Sequence, residues 1–348
     1  MSAGRFRGSA IVWALLLAYP SLYPFWPWRA PARDALREAF IVNGHVMRSD
    51  VAFNVVAYIP FGLLVCLYAR ERGVGSPLAR TIITCGLFSL AMETLQLFLP
   101  GRVSSVVDLV TNVTGAALGA AAFADPLHAM FTKPLGEMRE RLVIGGPFGD
   151  AGLMLLFFWL LAQLNPGLPF FGAGDIARNI EPELAALQWA AVAMGICGFG
   201  LFVSTLMAND SGSLRVTFLL LSAALWLKFV TASAMLQPHA DPEWAGGARV
   251  VGIALGLGAF MPMRRFSRGT RTYLALVLIL AGALFAKVFG AYSALDEFLR
   301  VFRWPHGQLA SFASLTRFIH ELWPFAAVSF LVALFLAQRR RPNARIVP

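Results

Sequence analysis

The sequence predicts an all-α fold, a polytopic transmembrane helical bundle of about ten spans. Three observations lead there. Hydrophobic residues fill 58% of the 348 positions and charged residues only 14%, against roughly 25% charged in an ordinary soluble domain. Mean hydropathy is +0.66. Apolar runs close to the ~20 residues that cross a hydrocarbon core as a helix recur from one end to the other, and no stretch remains for a soluble domain of useful size.

The first span is expected at 9–28. Arg5 and Arg7 precede it, and Ala30 and Ala32 have the spacing of a signal-peptide cleavage site. The run YPSLYPFWPW keeps the segment bulky and aromatic well past the usual length of such a peptide, ending like an interfacial aromatic belt. It is read as a retained helix. The second span is expected at 51–70, with Pro60 and Gly62 loosening its middle, and the third at 78–99. Pro100 and Gly101 then initiate a tight turn. The fourth span, 105–125, carries Gly115, Gly119 and several alanines, a smooth face that lets helix backbones meet closely.

Charge and helix breakers mix in DPLHAMFTKPLGEMRERLVIGGP, which reads as a connector along the cytoplasmic surface. Six further spans follow at 148–164, 185–207, 215–236, 249–263, 272–292 and 321–337. The expected organisation is thus a four-helix part at 1–125, a connector at 126–147 and a six-helix extension at 148–348.

The net charge of +10 does not point to nucleic acid, because the arginines occupy short loops and the two ends without a stripe of exposed aromatics. Topology accounts for it. With both termini in the cytoplasm, the inner segments and span ends hold 17 Lys and Arg and the outer ones 10, the asymmetry of the positive-inside rule. Arg29, Arg33, Arg37 and Arg48 in the first outer loop run against the trend. Cys66, Cys85 and Cys197 lie in apolar runs without CxxC spacing and read as packed thiols.

The polar residues of the first half form a pattern. Asp50 and Asn54 sit one turn apart at the outer end of the second span, Glu93 and Gln96 close the third, and Asp108 and Asn112 open the fourth after Arg102. Spacings of three and four place each pair on one helix face. A charge near the bilayer centre costs about 2.5–3.5 kcal/mol on insertion scales, so these groups must face one another, water or a ligand.

The blocks DVAFNVVAYIPFG and METLQLFLPGRVSSVVDLVTNVTGAALG resemble the VanZ-like membrane proteins over roughly residues 10–125. The family pattern falls on Asp50, Asn54, Pro60 and Gly62, then Glu93, Gln96 and Arg102, then Asp108, Asn112, Gly115 and Gly119, with Tyr58 and Ile59 where Phe and a small aliphatic residue are commoner. The family is named for a protein of glycopeptide-antibiotic resistance clusters that gives modest protection against teicoplanin. Longer members with such an extension often lie beside envelope or exopolysaccharide genes. The resemblance implies an integral protein of the bacterial inner membrane.

Three readings of the polar set stand side by side: a buried network that sets helix register, a ligand site, and catalysis by Glu93 and Asp108 as acid and base. The last lacks a nucleophile or metal set, since His45 has no HxxE or HExxH spacing and Ser104 and Ser105 have no partnered His. The favoured expectation is a ligand site of Asp50, Asn54, Glu93, Gln96, Arg102, Asp108 and Asn112. Its ligand would be a membrane lipid, a lipid-linked glycan or a phosphate-bearing envelope intermediate, with Arg102 on phosphate. No catalytic residue, metal or cofactor is assigned. A membrane enzyme acting on a lipid-linked sugar, a transporter and a structural partner are the alternatives.

Lys228 and Lys287 fall within the outer halves of the seventh and ninth spans, where snorkelling to the interface or contact with a lipid phosphate are both open. His239, Asp241 and Glu243 read as an interfacial loop and Asp296, Glu297, Arg300 and Arg303 as a solvated turn. His320 and Glu321 stand too far from the other polar groups to assign. The sequence holds no P-loop, GxGxxG or haem motif.

Overall fold

The computed structural model describes residues 5–31, 34, 37, 48–100, 102–121, 134, 136–171, 182–209, 212–238, 247–289, 294–303 and 308–340. Eleven helices are delimited among them: α1 Arg5–Leu22, α2 Arg48–Glu71, α3 Pro77–Gln96, α4 Val106–Ala121, α5 Gly146–Gln163, α6 Pro182–Leu206, α7 Ser213–Met235, α8 Gly247–Met263, α9 Arg268–Phe289, α10 Leu295–Leu299 and α11 Gln308–Arg340. Among the described residues there is no strand, only the isolated bridges Val143 to Met207 and Leu236 to Phe302. Seven helices, α2, α3, α5, α6, α7, α9 and α11, are long and apolar enough to cross a membrane, and α1, α4 and α8 are apolar but shorter. The chain is an all-α polytopic membrane protein.

Local chemistry explains several boundaries. Pro77 opens α3, where its missing N–H is no loss, and Pro147 does the same for α5. The first helix stops at Leu22, short of the expected 28, because Pro24 and Pro27 cannot donate to a helical ladder. The last helix begins at Gln308, well before the expected 321. Hydropathy alone misplaced that start because QLASFASLT is rich in hydroxyl side chains, yet Ser311, Ser314 and Thr316 are buried. In the expected connector, residues 136–142 are helical and lead into Val143, whereas 126–133 and 135 lie outside the described residues.

The chain folds as two compact units, Met1–Pro134 with His306–Leu315, and Leu135–Pro305 with Thr316–Pro348. In the first unit α2 runs unbroken through Pro60, and α2 and α4 approach backbone to backbone. A Cβ at Gly62 would collide with the Ala116 carbonyl oxygen, one at Gly115 with that of Val55, and one at Gly119 with that of Ile59. Gly62 thus serves the contact with α4. Trp13 Nε1 donates to the Ala57 carbonyl at 2.9 Å, joining α1 to α2. Leu17, Tyr58, Phe61, Cys85 and Ala116 form the core between these helices.

The second unit is built round α6, whose stretch Trp189–Leu206 is the most enclosed of the spans. Gly198 and Gly200 leave room for Ile279 of α9 and Phe260 of α8. Trp159 stacks on Phe199 at 4.1 Å, and Phe202, Trp323 and Phe330 extend the aromatic core.

Candidate functional site

In the first unit, the start of α2, the end of α3 and the start of α4 lie together, and a cavity of about 80 Å³ opens among them. Asn54 of α2, Glu93 and Gln96 of α3, and Asp108 and Asn112 of α4 line it, with Leu17, Pro20, Ser21, Phe53, Ala57, Tyr58 and Phe312. That volume admits several waters or one small polar group. Among the described residues, two carboxyl side chains face this space and no cationic one does, so this lining offers acceptors above all.

Each polar group is held by a neighbour. Glu93 is 7% exposed, and its Oε2 accepts a 2.8 Å hydrogen bond from the Ser105 backbone N–H. Ser105 in turn caps α4, its Oγ accepting from the Val107 N–H at 3.1 Å. The hydroxyl that the sequence offers as a nucleophile without a histidine is therefore a helix cap. Gln96 Nε2 donates to the Ser21 carbonyl at 3.0 Å, tying α3 to α1. Asn112 Nδ2 donates to Ser89 Oγ at 3.0 Å, and Ser89 also bonds the Tyr58 hydroxyl. Asp108 sits in the first turn of α4, where the helix dipole favours negative charge.

One polar atom of the lining stands out. Asn112 is 5% exposed, and its Oδ1 is buried with no hydrogen-bond donor. Asn54 is paired with the Asp108 carboxyl. An orphaned acceptor costs about 1–3 kcal/mol. A molecule with an N–H or O–H to give, entering this cavity, removes that cost.

Asp50 and Arg102 do not line the cavity. Arg102 Nη1 donates to Ser311 Oγ at 3.1 Å. Burial pushes its guanidinium pKa down, while the carboxylates of Glu93, Asp108 and Asp50 act in the opposite direction. Arg102 is thus the countercharge of the acidic cluster, one step behind its surface. Ser89, Ser311 and Phe312 carried no signal in the sequence. Ser89 was hidden in an apolar run, and the other two lie some two hundred residues away in the chain.

This arrangement of α1 to α4 is carried by the same residues that bear the motif blocks. Residues 6–128 match the VanZ/LLP1 family model. No match was found among curated proteins or among solved structures. The VanZ-like segment therefore spans α1 to α4 but for Arg5, and its motif residues Gly62, Gly115 and Gly119 make close backbone contacts between helices while Asn54, Glu93, Gln96, Asp108 and Asn112 line the cavity.

Beyond the VanZ-like segment, Lys228 is fully buried, and its Nζ donates to the Asn165 and Leu168 carbonyls, both at 2.9 Å. Its ammonium secures the loop after α5, where Asn165 also donates to Thr316 Oγ1 at 2.9 Å. Lys287 is exposed near the end of α9, 5.7 Å from the Phe325 ring centre. His45, Arg33, His239, Asp241 and Glu243 lie outside the described residues. Among the described residues, no group of three or more His, Cys, Asp or Glu could hold a metal ion.

Proposed function

We propose that this VanZ-like protein sits in the bacterial cytoplasmic membrane with both termini inside and binds the polar part of an envelope lipid or glycan intermediate at the α2–α3–α4 cavity. It thereby influences envelope or exopolysaccharide assembly and sensitivity to glycopeptides. The observation that supports this most is the cavity itself: carboxyl and amide side chains from α2, α3 and α4 converge on it, and Asn112 Oδ1 is buried without a donor. Carboxylates and amides of this kind accept from sugar or alcohol hydroxyls. Arg102, directly behind the acidic cluster, supplies the charge for a phosphate next to them, and its bond to Ser311 uses one of five guanidinium donors.

The test is lipid identification by mass spectrometry after gentle purification, comparing the native protein with Arg102→Ala and Asn112→Leu. A phosphate-bearing species bound to the native protein and depleted in both variants is the expected result. Identical lipid profiles from all three proteins would remove the proposal.

A second reading is favoured by one observation, that Glu93 and Asp108 share the same cavity: a membrane enzyme acting on a lipid-linked sugar, with one carboxyl as acid and the other as base. Glu93→Gln and Asp108→Asn separate the two. Retained binding with abolished turnover supports the enzyme, and retained binding without any turnover in the native protein supports the binding role.

A further inference from the structure

The second unit holds a cavity of its own, also about 80 Å³, walled by α5, α6, α9 and α11. It lies outside residues 6–128. Its polar lining is Gln163, Lys287, His320 and Glu321, and the rest is mostly apolar, including Trp159, Trp323, Ala283 and Ala286. Gln163 is the last residue of α5 and Lys287 lies in the last turn of α9. These two residues are thus at the ends of their spans, the depth at which lipid headgroups lie.

Gln163 carries the argument. It is 2% exposed, its Nε2 donates to the Trp159 carbonyl at 3.0 Å, and its Oε1 is buried with no donor. The amide cannot be turned round, because its oxygen would then face a carbonyl oxygen. Gln163 lines the cavity, and its oxygen is an acceptor still in need of an N–H or O–H. Glu321 adds negative charge, partly offset by Arg317, whose Nε is 3.7 Å from its Oε1. Lys287 adds a positive charge at the same cavity. An acceptor, an anion and an ammonium lining one cavity match a zwitterion whose cationic end can donate.

From this we infer that the cavity binds a phosphoethanolamine headgroup, the primary ammonium donating to Gln163 Oε1 beside Glu321 and the phosphate meeting Lys287. The source is the bilayer: the walls are membrane helices, and Ala283 and Ala286 line the cavity with small apolar side chains that leave room for an acyl chain. A choline head has no N–H to give Gln163, and a glycerol head has no positive charge for Glu321.

The experiment is native mass spectrometry of the full-length protein in detergent with phosphatidylethanolamine, phosphatidylcholine and phosphatidylglycerol of matched chains. The native protein is expected to retain the ethanolamine lipid about fivefold over either competitor, a comparison that needs no variant. Gln163→Met and Glu321→Gln are expected to erase the preference over choline, and Lys287→Ala to lower retention of the ethanolamine lipid. Free phosphoethanolamine is the second arm. Failure to displace the lipid supports a bilayer source, and tight binding that is lost in the same variants supports the same chemistry with a soluble source. Equal retention of the three lipids by the native protein, without binding of free phosphoethanolamine, overturns the inference.

Discussion

Glu93, near the end of α3, accepts the backbone N–H of Ser105, the residue that caps α4, at 2.8 Å. One carboxylate thus closes the turn between two helices and also faces the cavity. Its two roles can be separated by substitution.

Glu93→Gln keeps an oxygen that can accept from Ser105, so its stability is expected to fall by no more than about 1 kcal/mol. Glu93→Leu leaves that part-buried N–H without its acceptor, and the expected loss is about 1–3 kcal/mol. Thermal unfolding of the purified protein in one detergent reads the difference. Equal losses for the two would show that the acceptor is unimportant to the turn.

Gly119→Val places a branched side chain against the Ile59 carbonyl of α2. Neither backbone can yield, and overpacking of this sort costs about 1–3 kcal/mol or more. Gly86→Ala is the matched control, because its Cβ would meet only Val113 Cγ2 at 3.5 Å, an ordinary contact. The amounts of folded protein in membranes, measured by fluorescence size exclusion, should drop for the first and hold for the second.

Lys228→Met preserves length but removes the donors that satisfy the Asn165 and Leu168 carbonyls. Hydrogen bonds to a charged donor contribute about 1.5–3 kcal/mol, and the loop after α5 should loosen accordingly. Hydrogen exchange of residues 164–171 reports it. Undiminished protection there, together with loss of bound lipid phosphate, would return Lys228 to the role of headgroup contact that its sequence position also allows.

Much of the fold was legible because the bilayer imposes a coarse rule: about twenty apolar residues make a span whatever surrounds them. The helical spacing of Glu93 with Gln96 and of Asp108 with Asn112 likewise places each pair on one face before any coordinates exist. The start of α11 was not legible, since Ser311, Ser314 and Thr316 lower the hydropathy of a segment that is nevertheless buried. Hydropathy treats a hydroxyl as exposed, whereas in a helix it can bond a neighbour and be enclosed.

The amino-acid sequence by itself determined that this is an all-helical membrane protein with a VanZ-like segment, because hydrophobicity, helical period and the order of motif residues are properties of the chain alone. Tertiary packing alone decided that Asn112 keeps an unanswered acceptor at a cavity shared with two carboxyls, and that Arg102 bonds Ser311. It likewise decided that Lys228 secures a loop. Which partner a buried polar atom finds depends on groups brought in from distant parts of the chain, and spacing along one helix carries no information about those.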